Sequence, residues 1–254
     1  MSIANISKIN QLLQNAVPGG LLFSDWLRKE GYSSQLLKRY RESGWLQSLT
    51  TGVMFRNNEK LSALASIHCF NFQCNGNLRI GAHSALELYG FNHYVPMGKP
   101  KLVVFFPTAA IPGWVSSDKF DMAIQPLHTG VFKNPLSKVL RLDNLTLQVS
   151  TPEQAFMECL HLVPRKYNYM DLYYIMEQLT SLDPERVGEV LKNTSSQKVK
   201  RMFLYMAEKA GHYWVEMIDF KDIELSSSKL QLVEHGTYVA KYKITVPKDL
   251  YEYE

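Results

Sequence analysis

The sequence predicts an α+β protein in which an N-terminal winged helix-turn-helix precedes a larger, mixed α/β C-terminal domain with a helical cluster. Two short helices around a glycine turn, followed by a pair of strands, are indicated between Leu22 and Arg56. Further along, strand patterns give way to helical periodicity. We therefore expect a winged helix over residues 1–57 and a C-terminal domain over residues 58–254, made of a linking segment (58–100), strands (101–150), helices (151–210), and strands with a tail (211–254).

The helix expected from Ser34 to Ser43 is the centre of the first domain. On a helical wheel one arc of roughly 160° is polar and carries Ser34, Gln35, Lys38, Arg39, Arg41 and Glu42. Leu36, Leu37 and Tyr40 lie on the opposite arc. One face can therefore pack on a core while the other presents cations to a polyanion, as a recognition helix does.

The segments on either side complete the motif. Leu22 to Glu30 reads as a helix capped by Ser24, and the turn Gly31-Tyr32-Ser33 lets Ser33 cap the recognition helix. After Gly44, Trp45–Leu49 and Val53–Arg56 read as two strands around the turn Thr50-Thr51-Gly52. This order of elements is that of a winged helix.

Charge supports contact with DNA. Between Arg28 and Arg56 the basic residues outnumber Glu30 and Glu42, and the whole chain has a net charge of +4. We expect Arg39 and Arg41 to read bases, Lys38 to contact phosphate and Gln35 to read adenine. The predicted DNA-binding residues are Ser33, Ser34, Gln35, Lys38, Arg39, Arg41, Thr50, Thr51 and Arg56. The alternatives are a solvated basic surface, or a winged helix that binds protein instead of DNA.

Two strings of residues carry a family resemblance. The first comprises Gly31-Tyr32-Ser33, Leu36-Leu37, Tyr40, Ser43–Leu46 and Gly52-Val53, and the second runs from Leu78 to Tyr94. They resemble the AbiEi family, the antitoxins of bacterial abortive-infection, or type IV toxin-antitoxin, systems. Relatives often carry a basic residue before the wing glycine, where this chain has Thr51, which argues against a strong wing contact with phosphate.

The resemblance implies function and partners. It implies that the winged helix binds double-stranded operator DNA and represses the shared operon. It also implies that the chain counteracts a cognate nucleotidyltransferase-like toxin, with direct contact between the two left open. Because one small winged helix reads few bases, we expect two molecules to bind one operator as a pair.

Composition sets the broad class. No stretch approaches the ~18 apolar residues of a membrane span, and 46% of the residues are hydrophobic, enough for a substantial core. We expect a cytoplasmic protein with no membrane contact. The three cysteines, Cys69, Cys74 and Cys159, suit a reducing compartment, and we expect them to be buried thiols.

The remaining elements follow from periodicity and turn residues. Helices are expected at Ile3–Gln14, Glu59–Phe70, Ser84 to Gly90 (opened by a capping box of Ser84 and Glu87), Glu153–His161, Tyr169–Leu179, Pro184–Lys192 and Ser196–Ala210. Strands are expected at Leu78–Ile80, Lys101–Pro107, Phe120–Gln125 and Leu145–Val149, with a hairpin or edge strand from the alternation around Tyr238–Ile244.

Catalytic and metal-binding motifs are not found, so we expect no enzyme activity, no metal and no cofactor. His68, Cys69, Cys74 and His83 do not have a standard zinc spacing. His83 is read as a capping or core histidine, or alternatively as a polar anchor or phosphate neighbour. The runner-up function is a DNA- or RNA-processing enzyme in which the winged helix only positions the substrate. The carboxylate pairs Glu153/Glu158 and Asp118/Asp121 are of a kind that many surfaces show by chance, and nothing in their spacing demands a catalytic centre.

A second basic group crowds the last predicted helices. Its members are Lys192, Lys198, Lys200, Arg201 and Lys209. We interpret this group as a solvated face, or alternatively as a docking surface for an acidic partner or a second stretch of DNA.

Overall fold

The computed structural model describes residues 7–91 and 98–254. Its described residues form two compact units, one drawn from Met1–Arg79, Pro96–His128 and Val139–Gln148, the other from Ile80–Val95, Thr129–Lys138 and Val149–Glu254. Ile3 and Ile6 of the expected first helix, and Asn92–Tyr94 of the second resemblance string, lie outside the described residues.

The first unit begins with the winged helix that the sequence predicts. Its elements are α1 (Lys8–Asn15), β1 (Leu22–Phe23), α2 (Ser24–Lys29), α3 (Ser34–Glu42), β2 (Leu46–Thr50) and β3 (Val53–Arg56). The strands form an antiparallel sheet in the order β1-β3-β2, in which Leu22 lies opposite Met54. The helix expected from Ser34 to Ser43 and both hairpin strands are thus confirmed to within one residue at each end.

A single hydrophobic cluster holds these elements together. It joins α1, α2, α3 and the hairpin, and its buried members are Leu12, Leu22, Leu27, Tyr32, Leu37, Tyr40, Leu46 and Met54. Each fully buried side chain of this size stabilises the fold by about 1.5–3 kcal/mol. Leu37 and Tyr40 are therefore fixed inside, which determines the face that α3 turns outward.

Two of the expected helix starts differ in the structure. Ser24 is the first residue of α2 instead of its cap, because its N–H bonds the carbonyl of Gly52. The helix expected at Glu59–Phe70 is α4 (Ala63–Cys74). Ser62 and Asp121 accept hydrogen bonds from its first N–H groups, and this sets the later start.

A five-stranded sheet is formed by strands that follow the winged helix along the chain. Its order is β6 (Ala123–Leu127), β5 (Lys101–Phe105), β4 (Arg79–Ile80), β8 (Leu145–Ser150) and β7 (Ser137–Leu142), and the chain passes between the two units within β4, β7 and β8. β5 and β6 are parallel. The edge strand β7 was not predicted, because it has no buried side chain to give a period-two apolar pattern.

An aromatic cluster extends the first unit beyond residue 57. Trp114, in a 3₁₀ turn at Gly113–Ser116, is buried. Its ring centroid lies 6.1 Å from that of Phe23 and 5.6 Å from that of Phe70. Residues from α4 and from the 96–128 segment therefore share a core with β1.

The second unit is mainly helical. It contains α5 (Ala82–Leu88), α6 (Pro152–Leu162), α7 (Tyr169–Gln178), α8 (Pro184–Asn193), α9 (Gln197–Lys209), a 3₁₀ turn (Tyr213–Met217), β9 (Leu230–Gln231), β10 (Thr237–Val239), β11 (Ile244–Val246) and α10 (Lys248–Glu252). The four long helices match the predicted ones because Thr151, Asn168, Asp183 and Ser196 cap them. The expected hairpin is confirmed as β10 and β11.

The start of α5 corrects the predicted capping box. Gly81 precedes the helix, and Ser84 lies buried within it. Ala82 has φ +50°, which an L-residue adopts rarely, and its N–H donates a 2.9 Å hydrogen bond to Glu158 Oε2. The buried carboxylate therefore stabilises the turn that starts the helix, a role that local sequence signals do not reveal.

Candidate nucleic-acid interface

Helix α3 presents the predicted residues to solvent. Ser34, Gln35, Lys38 and Arg39 are exposed, and Arg41 is half-buried. Ser33 is the cap that the sequence predicts, since its Oγ accepts a 3.2 Å hydrogen bond from the N–H of Leu36. The arrangement of this face is as expected, and its contact with DNA stays a prediction.

Two tyrosines fix the helix from inside. Burial raises the pKa of Tyr32. Burial also raises the pKa of Tyr40, and this effect outweighs the positive charge of Arg39, which lowers it. Tyr32 Oη also donates to the carbonyl of Lys8 on α1, at 3.2 Å. Both rings therefore remain neutral core groups around neutral pH, and the exposed face of α3 stays oriented.

The cations of this face differ in how far the protein already neutralises them. Lys38 Nζ lies 3.7 Å from Glu42 Oε1, but both side chains are more than 60% exposed, so this ion pair contributes little. Arg28 pairs with Asp25 at 2.5 Å, also on the surface. Arg39 has no ion pair within the part of the chain that the structure describes. It is the cation best placed to contact an external anion.

A groove runs beside α3. It has a volume of about 560 Å³ and is lined by Ser24, Asp25, Arg28, Ser34, Leu37, Arg41, Ser48, Thr50, Thr51, Gly52 and Met54. Arg41 Nη1 lies 3.1 Å from Met54 Sδ on its wall. Hydroxyl groups and two guanidinium groups suit phosphate oxygens. Arg28 and Ser48 line this groove but are not among the residues that the sequence predicts to bind DNA, although Arg28 contributes to the local charge excess.

The wing is short and uncharged. Its turn is Thr51-Gly52, with Gly52 at φ +78°, and the register shifts between Ser48 and Thr50. Thr51 is exposed and Thr50 is half-buried. With no cation at the tip, the cations of this groove are Arg41 and Arg28, and Arg28 is paired with Asp25, which also lines the groove.

Arg56 does not belong to the exposed face. Its Nη2 is paired with Glu59 Oε1, its Nη1 donates to the carbonyl of Leu13 at 2.9 Å, and its side chain is only 20% exposed. Arg56 therefore connects the base of the wing to α1, and the structure does not present it for the predicted contact with DNA.

The second basic group is largely internal. Arg201 is 1% exposed, and it donates to the carbonyls of Ser228 at 2.7 Å and Ser226 at 2.6 Å. Lys200, also buried, donates to the carbonyl of Glu224 at 3.2 Å, and burial lowers its pKa. The predicted solvated face or docking surface is therefore wrong for these two residues, because both hold the following loop by its backbone.

Two more members of the second basic group also donate hydrogen bonds to backbone carbonyls, and Lys192 is the exception. Lys198 donates to the carbonyls of His161 at 2.9 Å and Val163 at 2.6 Å, and burial lowers its pKa. Lys209 donates to the carbonyls of Tyr251 and Tyr253. Lys192 is exposed. The spacing of these residues predicted a surface, but carbonyl groups distant in sequence bind most of their side chains.

Several of the groups considered for catalysis or metal binding have structural partners. His83 Nδ1 lies 2.6 Å from Tyr167 Oη. Asp121 Oδ1 accepts from the N–H groups of Ala63 and Met122, and Glu153 Oε1 from that of Asp183. Among residues 7–91 and 98–254 there is no group of three His, Cys, Asp or Glu side chains that could hold a metal ion. In the same ranges, no helix is long and apolar enough to span a membrane.

Two family models match the chain over nearly its whole length. Residues 5–97 match the N-terminal domain of the AbiEi antitoxin transcriptional regulator, and residues 99–247 match the AbiEi antitoxin of type IV toxin-antitoxin systems, also a transcriptional regulator. The chain belongs to the AbiEi antitoxin family. The family is described as a transcriptional regulator, and this antitoxin is accordingly a regulator of transcription.

Among solved structures, one similar to this AbiEi antitoxin covers most of the chain. It is the RV2827C protein from Mycobacterium tuberculosis, with a TM-score of 0.61 and 12% sequence identity, covering 93% of this chain and 88% of that one. At this identity the likeness shows a shared fold. No curated protein matches the sequence.

Proposed function

We propose that this AbiEi antitoxin binds double-stranded operator DNA through α3 and the wing, and that it thereby represses its own toxin-antitoxin operon. One observation carries the proposal: Arg39, Gln35 and Lys38 are exposed on a helix whose opposite face is fixed in the core. No packing requirement explains two exposed cations and an amide on that face.

In this proposal α3 enters the major groove. Gln35, in the first turn, offers the paired donor and acceptor that suit adenine, and Arg39, one turn later, suits guanine. Lys38 can exchange its weak pair with Glu42 for a phosphate. Arg41 and Arg28 bind backbone phosphate in the groove beside the wing, where Thr50 and Thr51 supply hydroxyl groups.

Two molecules are proposed to bind each operator. A single α3 spans few base pairs, and one such contact cannot distinguish an operator from competing genomic sites. Two half-sites in inverted arrangement solve this problem. Footprinting on the DNA upstream of the chain's own reading frame should give two protected segments, and a single one at saturation contradicts pairing.

Substitution of Arg39 tests the DNA interface. Arg39→Ala should weaken binding to the upstream DNA by about 1–3 kcal/mol, since a bidentate base contact is lost. Arg141→Ala is the matched control, because Arg141 is an exposed arginine on β7, away from α3. Lys38→Ala should mainly flatten the dependence of affinity on salt. Unchanged affinity in the combined Lys38→Ala, Arg39→Ala and Arg41→Ala variant, with the fold intact, would falsify the proposed interface.

We further propose that the residues after the winged helix counteract the nucleotidyltransferase-like toxin. Family membership supports the antitoxin role, and most of these residues belong to the second compact unit, while 58–79, 96–128 and 139–148 belong to the first. The full chain with the three α3 substitutions, expressed from an unrelated promoter, should still relieve toxicity in a growth assay while no longer binding operator. Loss of rescue in this folded variant would mean that antitoxin activity depends on the DNA-binding face.

A further inference from the structure

A cleft in the first unit is separate from the groove beside the wing. It has a volume of about 700 Å³ and lies among α1, α2, α4 and β8. Small-molecule sites in proteins typically have volumes of about 300–1,000 Å³. The cleft thus has the size of a ligand site, and neither the DNA-binding proposal nor the family assignment uses it.

One wall of the cleft is aromatic. Phe72, on α4, is 66% exposed although its side chain is a large hydrocarbon ring. The ring of His68 lies nearly parallel to it, at an interplanar angle of 8° and a centroid distance of 6.2 Å. Trp26 of α2 approaches Phe72 edge-on, with centroids 6.2 Å apart. An exposed ring held in this way offers a stacking surface for a planar ligand.

A planar ligand with a polar edge also needs hydrogen-bonding groups in the cleft, and side-chain amides supply them. Gln11 and Asn15 of α1 and Gln148 of β8 line the cleft. None of these three side chains has a hydrogen bond to another described residue. Each amide offers one acceptor and a two-hydrogen donor, which is the pattern that recognises the edge of a nucleobase.

The charge of the lining restricts the ligand further. Glu30 is its one ionisable carboxylate, and no lysine or arginine contributes to the wall in the described part of the chain. The backbone of Thr146 holds the His68 ring in place, since His68 Nδ1 lies 3.0 Å from the Thr146 nitrogen and 3.1 Å from its carbonyl oxygen. Without a cation, the cleft disfavours phosphate groups. An uncharged heterocycle fits better than a nucleotide.

We infer that this cleft is a binding site for an uncharged planar heterocycle of the nucleoside class. The base stacks on Phe72, and the amides of Gln11, Asn15 and Gln148 contact its polar edge. Because the walls include α1 and α2, which pack in the same core as α3, an occupant also stabilises the winged helix.

Calorimetric titration of the full chain with adenosine, guanosine, cytidine and uridine tests the inference. At least one nucleoside should bind and raise the melting temperature, and its 5′-monophosphate should bind about tenfold more weakly or worse, since no cation compensates its charge. Absence of binding by all four nucleosides up to their solubility overturns the inference. Equal or tighter binding of the monophosphate also overturns it.

Two variants locate the site. Phe72→Ala should weaken nucleoside binding by about tenfold, the value of one base-stacking contact, and Asn15→Leu should weaken it by removing a polar partner. Tyr213→Ala is the matched control, because Tyr213 is a 68% exposed aromatic residue outside the cleft. Both Phe72 and Asn15 are exposed, so the variants should fold. Binding that survives both substitutions, or that falls equally in the control, rules out the assigned site.

Discussion

The backbone N–H of Ser24 donates a 2.8 Å hydrogen bond to the carbonyl oxygen of Gly52. Ser24 is the first residue of α2, where N–H groups lack partners within the helix. The wing turn supplies the missing acceptor, and so the position of the wing is coupled to the helix-turn-helix. The coupling depends on the left-handed backbone of Gly52, at φ +78°.

Gly52→Ala should therefore destabilise the chain by about 1 kcal/mol, because an L-residue is strained at positive φ. A steric clash is not the cause, since no atom lies within 4 Å of the added Cβ. Gly113→Ala is the control: it has equal space and no positive φ. Urea unfolding should show a lower midpoint for Gly52→Ala than for Gly113→Ala, and equal midpoints would contradict the strain argument.

Glu158→Gln should destabilise the second unit by about 1–3 kcal/mol, the cost of disturbing buried hydrogen bonds to a charged group. The carboxylate is 1% exposed and accepts bonds from the Ala82 N–H, from Ser150 Oγ and from Gln154 Nε2. A glutamine amide in its place has an NH₂ group where one carboxylate oxygen was, so that a donor would face one of these three donors. Glu189→Gln, on the exposed face of α8, is the control and should leave the unfolding free energy unchanged.

Stability should fall as pH rises from about 10 to about 12. Burial raises the pKa values of Tyr169, Tyr173 and Tyr205 from 10.0 to about 12. The folded state then keeps protons that the unfolded chain releases, so its stability is fully present below pH 10 and is lost as pH approaches 12. Urea midpoints measured across this range should decline, with tyrosinate absorbance appearing on unfolding.

Tyr205→Phe removes one of these titrating groups and should make the decline shallower. Tyr213→Phe, at an exposed position, should leave its slope unchanged. A decline with the same slope in Tyr205→Phe as in the unsubstituted chain would mean that buried tyrosines do not control alkaline unfolding.

A thiol reagent should modify one cysteine quickly in the folded chain. Cys69 and Cys159 are buried, and burial raises the pKa of Cys69 to about 12 and that of Cys159 well above the ordinary value. Cys74 is exposed, contrary to the expectation that all three thiols are buried. Cys74→Ser should abolish the fast phase, and fast labelling that persists in this variant would contradict the assigned burial.

Helix α3 could be predicted because its signals are local. Ser33 caps it, Gly44 follows it at φ +75°, and Leu37 and Tyr40 recur on one face. Each signal acts within one or two helical turns, so a sequence window contains it. The capped helices α6 to α9 were predicted for the same reason.

Contacts between distant residues could not be predicted in this way. Arg201 bonds the carbonyl of Ser228, 27 positions along the chain, and Arg56 bonds that of Leu13, 43 positions back. Both arginines sit among residue types that usually mark a solvated face. Only the folded path of the chain brings a carbonyl to each guanidinium, so their burial has no local signal.

The path of the chain through the first unit has an evolutionary consequence. Three separate stretches build this unit, and Trp114, from the second of them, packs against Phe23 of the first. A recombination event that exchanged residues 1–57 alone would leave Trp114 facing a foreign surface. Under the proposed function, a change of operator preference should therefore arise by point substitutions at exposed α3 positions such as Gln35 and Arg39, more readily than by exchange of residues 1–57 as a block.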